Sequence, residues 1–162
     1  MSADIVFKLA HVIGAAVLLG TGAGIAFFML MAHRTGDPRT IAAVARIVVI
    51  ADYVFTASAV IAQPITGLLL ANARGYPLDT GWIVASVGLY LWTGVWWLPV
   101  IWMQSRMRAL AQAAADAGEP LPARYHKLFR LWFAFGFPAF AAVIAIFWLM
   151  IARPRLGVWF LS

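Results

Sequence analysis

Two ionisable side chains stand inside apolar segments of this 162-residue chain and could do chemistry there. His11 lies in the first apolar segment, and Asp52 lies well inside the second. A membrane-embedded imidazole can ligate haem, transfer protons or hydrogen-bond a neighbouring helix, and all three interpretations stay open. A carboxylate in hydrocarbon costs roughly 2.5–3.5 kcal/mol, so we expect Asp52 to face other helices or water. In that position Asp52 either takes part in the function of the protein or forms a structural ion pair.

The second apolar segment carries further polar residues at helical spacing. At about 100° per residue, Asp52, Thr56, Gln63 and Thr66 fall on one side of a helix. With Ser86 of the third segment, they predict a polar intramembrane pocket. Counting the helical rise puts Gln63, Thr66 and Ser86 at the depth of His11, where we expect a polar cluster. Nearby Pro64 has no N–H, so the carbonyl of Val60 loses its helical partner, and we expect a kink beside Gln63.

Haem b is the candidate cofactor, with His11 as its candidate ligand. Gly14 and Gly22 stand beside His11 and would leave space for a flat macrocycle. His33 is 22 residues further on, roughly 33 Å along a helix, and cannot bind the same centre. His33 and His126 are expected at one membrane boundary, where they could meet. The chain has no Cys and no HxxxH or HExxH spacing, so we predict no protein metal site.

The composition is that of an integral membrane protein. Hydrophobic residues make up 64% of the chain and charged residues 11%, with a mean hydropathy of +0.90. Soluble domains carry about 25% charged residues. The net charge of +6 arises from basic residues at the ends of apolar segments, where the membrane explains them. The expected partner is therefore the lipid bilayer and not nucleic acid.

The apolar segments predict an all-α bundle of four transmembrane helices in a single domain, residues 1–162. The predicted spans are about 5–31, 43–70, 82–103 and 128–151. Residues 104–117 are expected to continue the third helix beyond the membrane, up to a stop at Gly118. Trp159 and Phe160 could rest in the interface.

The basic residues also predict an orientation. Eight of them fall at one end of a four-span bundle and four at the other. The positive-inside rule then puts both termini in the periplasm of a bacterial inner membrane. Ala16, Gly20 and Gly24 form a small-residue stripe, which favours contact with a second copy or with a partner membrane protein. The end with eight holds Arg34, Arg39, Arg46, Arg106, Arg108, Arg124, Lys127 and Arg130.

Four long stretches resemble a known family, the bacterial predicted integral membrane proteins of domain of unknown function 2269. They are KLAHVIG, ADYVFTASAVIAQPITGLLL, YPLDTGWIVASVGLYLWTGVWWLPVIWMQSRMR and LPARYHKLFRLWFAFGFPAFAAVIAIFWLMIARP. The resemblance covers nearly the whole chain and implies a four-helix inner-membrane protein without a stated activity.

The first helix is also similar to that of the four-helix, haem-binding bacterial protoporphyrinogen oxidase, in which His11 would match the haem ligand. That family relies on a lysine in its third helix, and residues 82–103 contain none. The leading hypothesis is a small inner-membrane protein that is haem-associated or redox-linked; whether it is an enzyme stays open. The alternatives are a non-enzymatic accessory or assembly subunit and a small transporter or channel component.

Overall fold

The computed structural model describes residues 2–156, and four long helices account for most of them. Each helix is long and apolar enough to cross a membrane, which confirms the predicted all-α architecture with four spans. Trp159 and Phe160 lie outside the described residues. The helices are α1 (Ala3–Thr35), α2 (Pro38–Ala73), α3 (Gly81–Ala117) and α4 (Ala123–Ala152).

Turn chemistry that is local to the sequence sets the helix ends at one end of the bundle. The Asp37 carboxylate accepts hydrogen bonds from the backbone N–H groups of Arg39 and Thr40 and so caps α2. Gly36 and Gly118 follow α1 and α3 with φ of 66° and 67°, a left-handed conformation that costs glycine little. The predicted continuation over 104–117 is therefore confirmed, because α3 runs unbroken to the residue before Gly118.

The four helices meet tightly at this end, which we call the basic end because it holds the eight basic residues named above. Met29, Ile41, Met107 and Tyr125, one from each helix, are completely buried there. His33 of α1 stacks on Phe129 with ring centroids 3.6 Å apart, and its ring centroid lies 5.8 Å from that of His126. The expected meeting of the two histidines is thus confirmed.

At the opposite end, which we call the termini end, the bundle divides into two helix pairs. The second half of α2 (Ala57–Ala73) packs against α1 and makes almost no close backbone contact with α3, whereas α3 packs along α4. Two polar contacts link the elements at this surface: Arg74 to Asp4 at 3.1 Å, and Arg153 to the Tyr76 hydroxyl at 2.7 Å. The interior of the bundle is therefore more open toward the termini end than toward the basic end.

A single π-helical turn, Asp52–Thr56, lies where α2 changes partners. Here the N–H of Ala57 bonds the carbonyl of Asp52, five residues earlier. The extra residue rotates the following helix by about 100° relative to an uninterrupted α-helix. Before the turn α2 packs against both α3 and α1, and after it α2 keeps its contact with α1 and leaves α3. The prediction that the polar residues of this segment share one side assumed a uniform helix and is wrong for this reason.

Candidate functional site

The Asp52 carboxyl is buried in a hydrogen-bonded chain that crosses three helices. Asp52 is 4% exposed, and Gln104 of α3 is 2% exposed. In the amide orientation that satisfies both neighbours, the Gln104 nitrogen donates to Asp52 Oδ2 at 2.8 Å. The Gln104 oxygen then accepts from Trp132 Nε1 of α4 at 3.2 Å. Burial of the carboxyl is thus compensated by neutral donors.

The expected ion-pair partner of Asp52 is not found among residues 2–156. The one salt bridge in this part of the chain joins Arg74 to Asp4 at the termini end. The Thr56 hydroxyl approaches the Asp52 carboxyl from the next turn but does not reach hydrogen-bonding geometry, so it is buried without a partner. No basic side chain among residues 2–156 therefore forms an ion pair with the Asp52 carboxyl.

A groove between α2 and α3 leads from this carboxyl to the outer surface of the bundle. Its volume is about 440 Å³, and most of its wall is apolar. Tyr53 and Trp102 line it and are 60% and 55% exposed on the outer surface of the bundle. A lipid-soluble molecule could enter from the bilayer without crossing water. The groove is lined by Asp52, Tyr53 and Ala57 from α2, and by Trp97, Leu98, Ile101, Trp102 and Ser105 from α3.

His11 belongs to a second polar cluster, between α1 and the second half of α2. The Thr66 hydroxyl lies 3.0 Å from His11 Nδ1 and donates its proton to the carbonyl of Ala62 at 2.8 Å. With its proton on the Ala62 carbonyl, the hydroxyl accepts from Nδ1–H, and in that tautomer the lone pair of the neutral ring is on Nε2. The Gln63 amide donates to the backbone carbonyl of His11 at 2.8 Å. The structure thus brings together three residues that were expected at one depth.

Glycines at this helix contact make room for side chains of the opposite helix. A Cβ at Gly67 would lie 3.1 Å from His11 Cε1, and a Cβ at Gly14 would collide with the Gln63 amide. The space beside Gly14 that we expected a macrocycle to use is therefore occupied by Gln63. A Cβ at Gly22 would meet no atom within 4 Å.

The predicted polar pocket is therefore divided into two clusters. Asp52 bonds Gln104 of α3, whereas Gln63 and Thr66 face α1, and the buried Thr56 hydroxyl has no partner. Ser86 joins neither, because its buried hydroxyl donates to the Trp82 carbonyl of its own helix at 2.7 Å. The π turn explains the division, since it rotates the later residues away from the side of Asp52.

The freed carbonyl of Val60 has a specific partner. The Tyr90 hydroxyl of α3 donates to Val60 O at 2.7 Å, across the gap between the two helices. The sequence predicted the vacancy, because Pro64 has no N–H to donate. Only the packing of α3 against α2 places Tyr90 opposite Val60.

Sequence reasoning missed two site residues, Gln104 and Trp132. The sequence did contain an indication for Gln104. It follows Trp97 by seven residues and therefore lies on the same side of α3. Trp132 gave no such signal, since it is one of many aromatic residues in α4. Within residues 2–156, no three His, Asp or Glu side chains are close enough together to hold a metal ion.

The small-residue stripe of α1 contacts nothing else in the described chain. A Cβ at Gly20 would meet no atom within 4 Å, and at Gly24 it would meet only Phe28 of the same helix. The stripe thus faces outward, and the expected homodimer or partner contact stays a prediction.

Comparison with known proteins identifies a family and no activity. Neither the curated proteins nor the solved structures include a significant match to this chain. The similarity of the first helix to a haem-binding oxidase accordingly has no support from them. One family model matches residues 5–154, nearly the whole length. The chain therefore belongs to the family described as predicted integral membrane protein, DUF2269.

Proposed function

We propose that this protein binds a lipid-soluble small molecule in the groove between α2 and α3, as a small membrane transporter or a component of one. The observation that carries the proposal is the position of the Asp52 carboxyl, buried within the bundle and lining a groove that opens to hydrocarbon. Ligand sites of proteins are typically apolar clefts with a few polar groups that orient the ligand. An ionisable residue inside a membrane bundle is by default a candidate for function.

The position of the groove in the fold supports movement at this site. Asp52 begins the π turn, and such turns are frequent at functional sites. The basic end beyond it is tightly packed, whereas the helix pairs separate toward the termini end. A site at such a junction can change its access when one pair tilts against the other, as alternating access requires. A purely structural subunit has no need of this arrangement.

A pair of substitutions on the same helix tests the binding. Ala57→Leu places a larger side chain in the wall of the groove, whereas Val54→Phe enlarges an exposed side chain on the same turn, outside the groove. Each protein is purified in nanodiscs, and its bound small molecules are extracted and identified by mass spectrometry. We expect one apolar compound that wild type and Val54→Phe retain and that Ala57→Leu lacks. Identical extracts from all three proteins would count against the groove.

A second candidate function is haem binding at His11, which one observation favours. In the tautomer that donates Nδ1–H to Thr66, the lone pair of His11 Nε2 is available to a metal, and histidines that ligate metals commonly donate their other ring N–H in this way. The filling of the space beside Gly14 and Gly67 by side chains speaks against a macrocycle on that side. The test is the visible spectrum after expression with ample haem. A Soret band lost in His11→Ala supports haem, and a colourless protein that refuses added haem excludes it.

A further inference from the structure

We infer that the ligand of the α2–α3 groove is a hydrophobic organic cation. This inference rests on the proposed function, because it names the chemical class that the same groove would accept. It is argued from the one ionisable acid at the groove, from the aromatic walls, and from the exclusion of other ligand charges.

The acid of the groove has no basic partner. No Lys, Arg or His nitrogen among residues 2–156 lies within 4.0 Å of the Asp52 carboxyl. Gln104 supplies a neutral hydrogen bond to one carboxyl oxygen and is itself held by Trp132. A buried carboxyl without a counter-charge favours its protonated form. Its ionised form, which a bound cation would stabilise, attracts that cation strongly in a low-dielectric site. The missing positive charge can come from the ligand.

The walls of the groove suit a cation as well. Tyr53, Trp97 and Trp102 surround the opening, and indole faces attract cations more strongly than other aromatic rings do. Sites that bind alkyl- and arylammonium groups commonly combine a carboxylate with aromatic side chains. If the groove opens to lipid, the ligand must partition into hydrocarbon before it binds. The rest of the ligand should therefore be apolar.

Other ligand charges fit less well. An anion in the groove would lie beside the Asp52 carboxylate, and the two negative charges would repel each other. A neutral lipophile would fill the apolar wall but leave the carboxylate unbalanced. The charge of the ligand can therefore be separated experimentally from the existence of the binding site.

The experiment compares probes of similar shape that differ in charge. Radiolabelled tetraphenylphosphonium, its anionic analogue tetraphenylborate and neutral triphenylphosphine oxide are tested in nanodiscs of zwitterionic lipid. Saturable binding is measured as counts displaced by excess unlabelled probe, with empty nanodiscs as the background. The proteins are wild type, Ala57→Leu and Asp52→Asn, the last of which keeps the shape of the side chain.

We expect saturable binding of tetraphenylphosphonium to wild type, at one site per chain. Asp52→Asn should weaken it at least about tenfold, because the attraction of the unbalanced carboxylate is lost. Ala57→Leu should abolish it. The two other probes should bind wild type at least about tenfold more weakly, so that the cation is distinguished without any variant.

The remaining outcomes separate the two proposals. If the neutral probe binds wild type as tightly as the cation, and Asp52→Asn binds both equally, the cation inference is overturned while the groove remains a binding site. If the anion binds best, the cation inference is overturned as well. If no probe binds saturably, or if binding persists in Ala57→Leu, the proposed function fails together with the inference.

Discussion

The hydrogen bond between Tyr90 and the carbonyl of Val60 allows a demanding test of the fold. Tyr90→Phe removes one hydroxyl and leaves the carbonyl that Pro64 has freed without a donor. Hydrogen bonds between membrane helices contribute about 0.6 kcal/mol on average and up to about 1.7 kcal/mol. An unsatisfied buried carbonyl costs about 1–3 kcal/mol. We therefore expect Tyr90→Phe to lower the free energy of unfolding by about 1–2 kcal/mol.

The cause of the loss can be isolated with a double-mutant cycle. Pro64→Ala restores an N–H that can donate to Val60 O, so the carbonyl no longer depends on the tyrosine. In that background we expect Tyr90→Phe to cost less than about 0.5 kcal/mol. The assay is reversible unfolding in mixed micelles with increasing dodecyl sulfate, followed by tryptophan fluorescence. Tyr53→Phe is the control, because Tyr53 is 60% exposed and its hydroxyl makes no described hydrogen bond.

Two results would refute this reasoning. An equal cost of Tyr90→Phe with and without Pro64 would show that the hydroxyl does not serve the freed carbonyl. A cost as small as that of Tyr53→Phe would show that the bond contributes nothing to stability. In either case Val60 would be satisfied by another group or by water.

Three further predictions concern helix contacts, pH and topology. Gly67→Ala should destabilise the protein by displacing the His11 ring, whereas Gly20→Ala, with no neighbour within 4 Å, should not; equal melting temperatures would contradict the close contact. Hydrogen bonds from the Thr40 hydroxyl and N–H lower the pKa of Asp37 in the folded protein. The Asp37 cap therefore stabilises the protein fully above the pKa that Asp37 has in the unfolded state. This stabilisation is lost as the pH falls through the pKa of Asp37 in the folded state. Asp37→Ala should therefore lower the melting temperature at pH 7 and have little effect in strong acid; the same loss at both pH values would refute the linkage. A carboxy-terminal reporter that is active only in the cytoplasm should stay silent, and a bright reporter would reverse the predicted orientation.

The backbone carbonyl that lacks a helical partner was easier to predict than the side chain that donates a hydrogen bond to it. Pro64 identifies the carbonyl of Val60 from sequence, because the missing N–H is a local property. Its partner Tyr90 is 30 residues away and could be assigned only once the facing of α2 and α3 was known. The same holds for Gln104, whose polarity is plain in the sequence but whose partners Asp52 and Trp132 come from two other helices.

The His11 cluster shows which contacts the depth of a residue along its helix can predict. Counting residues along the helices placed His11, Gln63 and Thr66 at one level, and the structure joins them. Depth does not determine rotation about the helix axis, so Ser86 was expected in the same cluster and instead bonds its own helix. Rotation depends on packing between helices, which the period of one segment does not specify.

The sequence by itself determined the membrane class, the four helices and the end of the third helix at Gly118. These features follow from apolar length and turn chemistry, which act within a few residues of chain. Only the tertiary structure decided which polar residues meet. The π turn at Asp52 rotates the rest of α2 by about 100°, and so directs Asp52 toward α3 and α4 while Gln63 turns to α1. An inserted residue of this kind is selected by packing among several helices, so no periodic pattern within one of them reveals it.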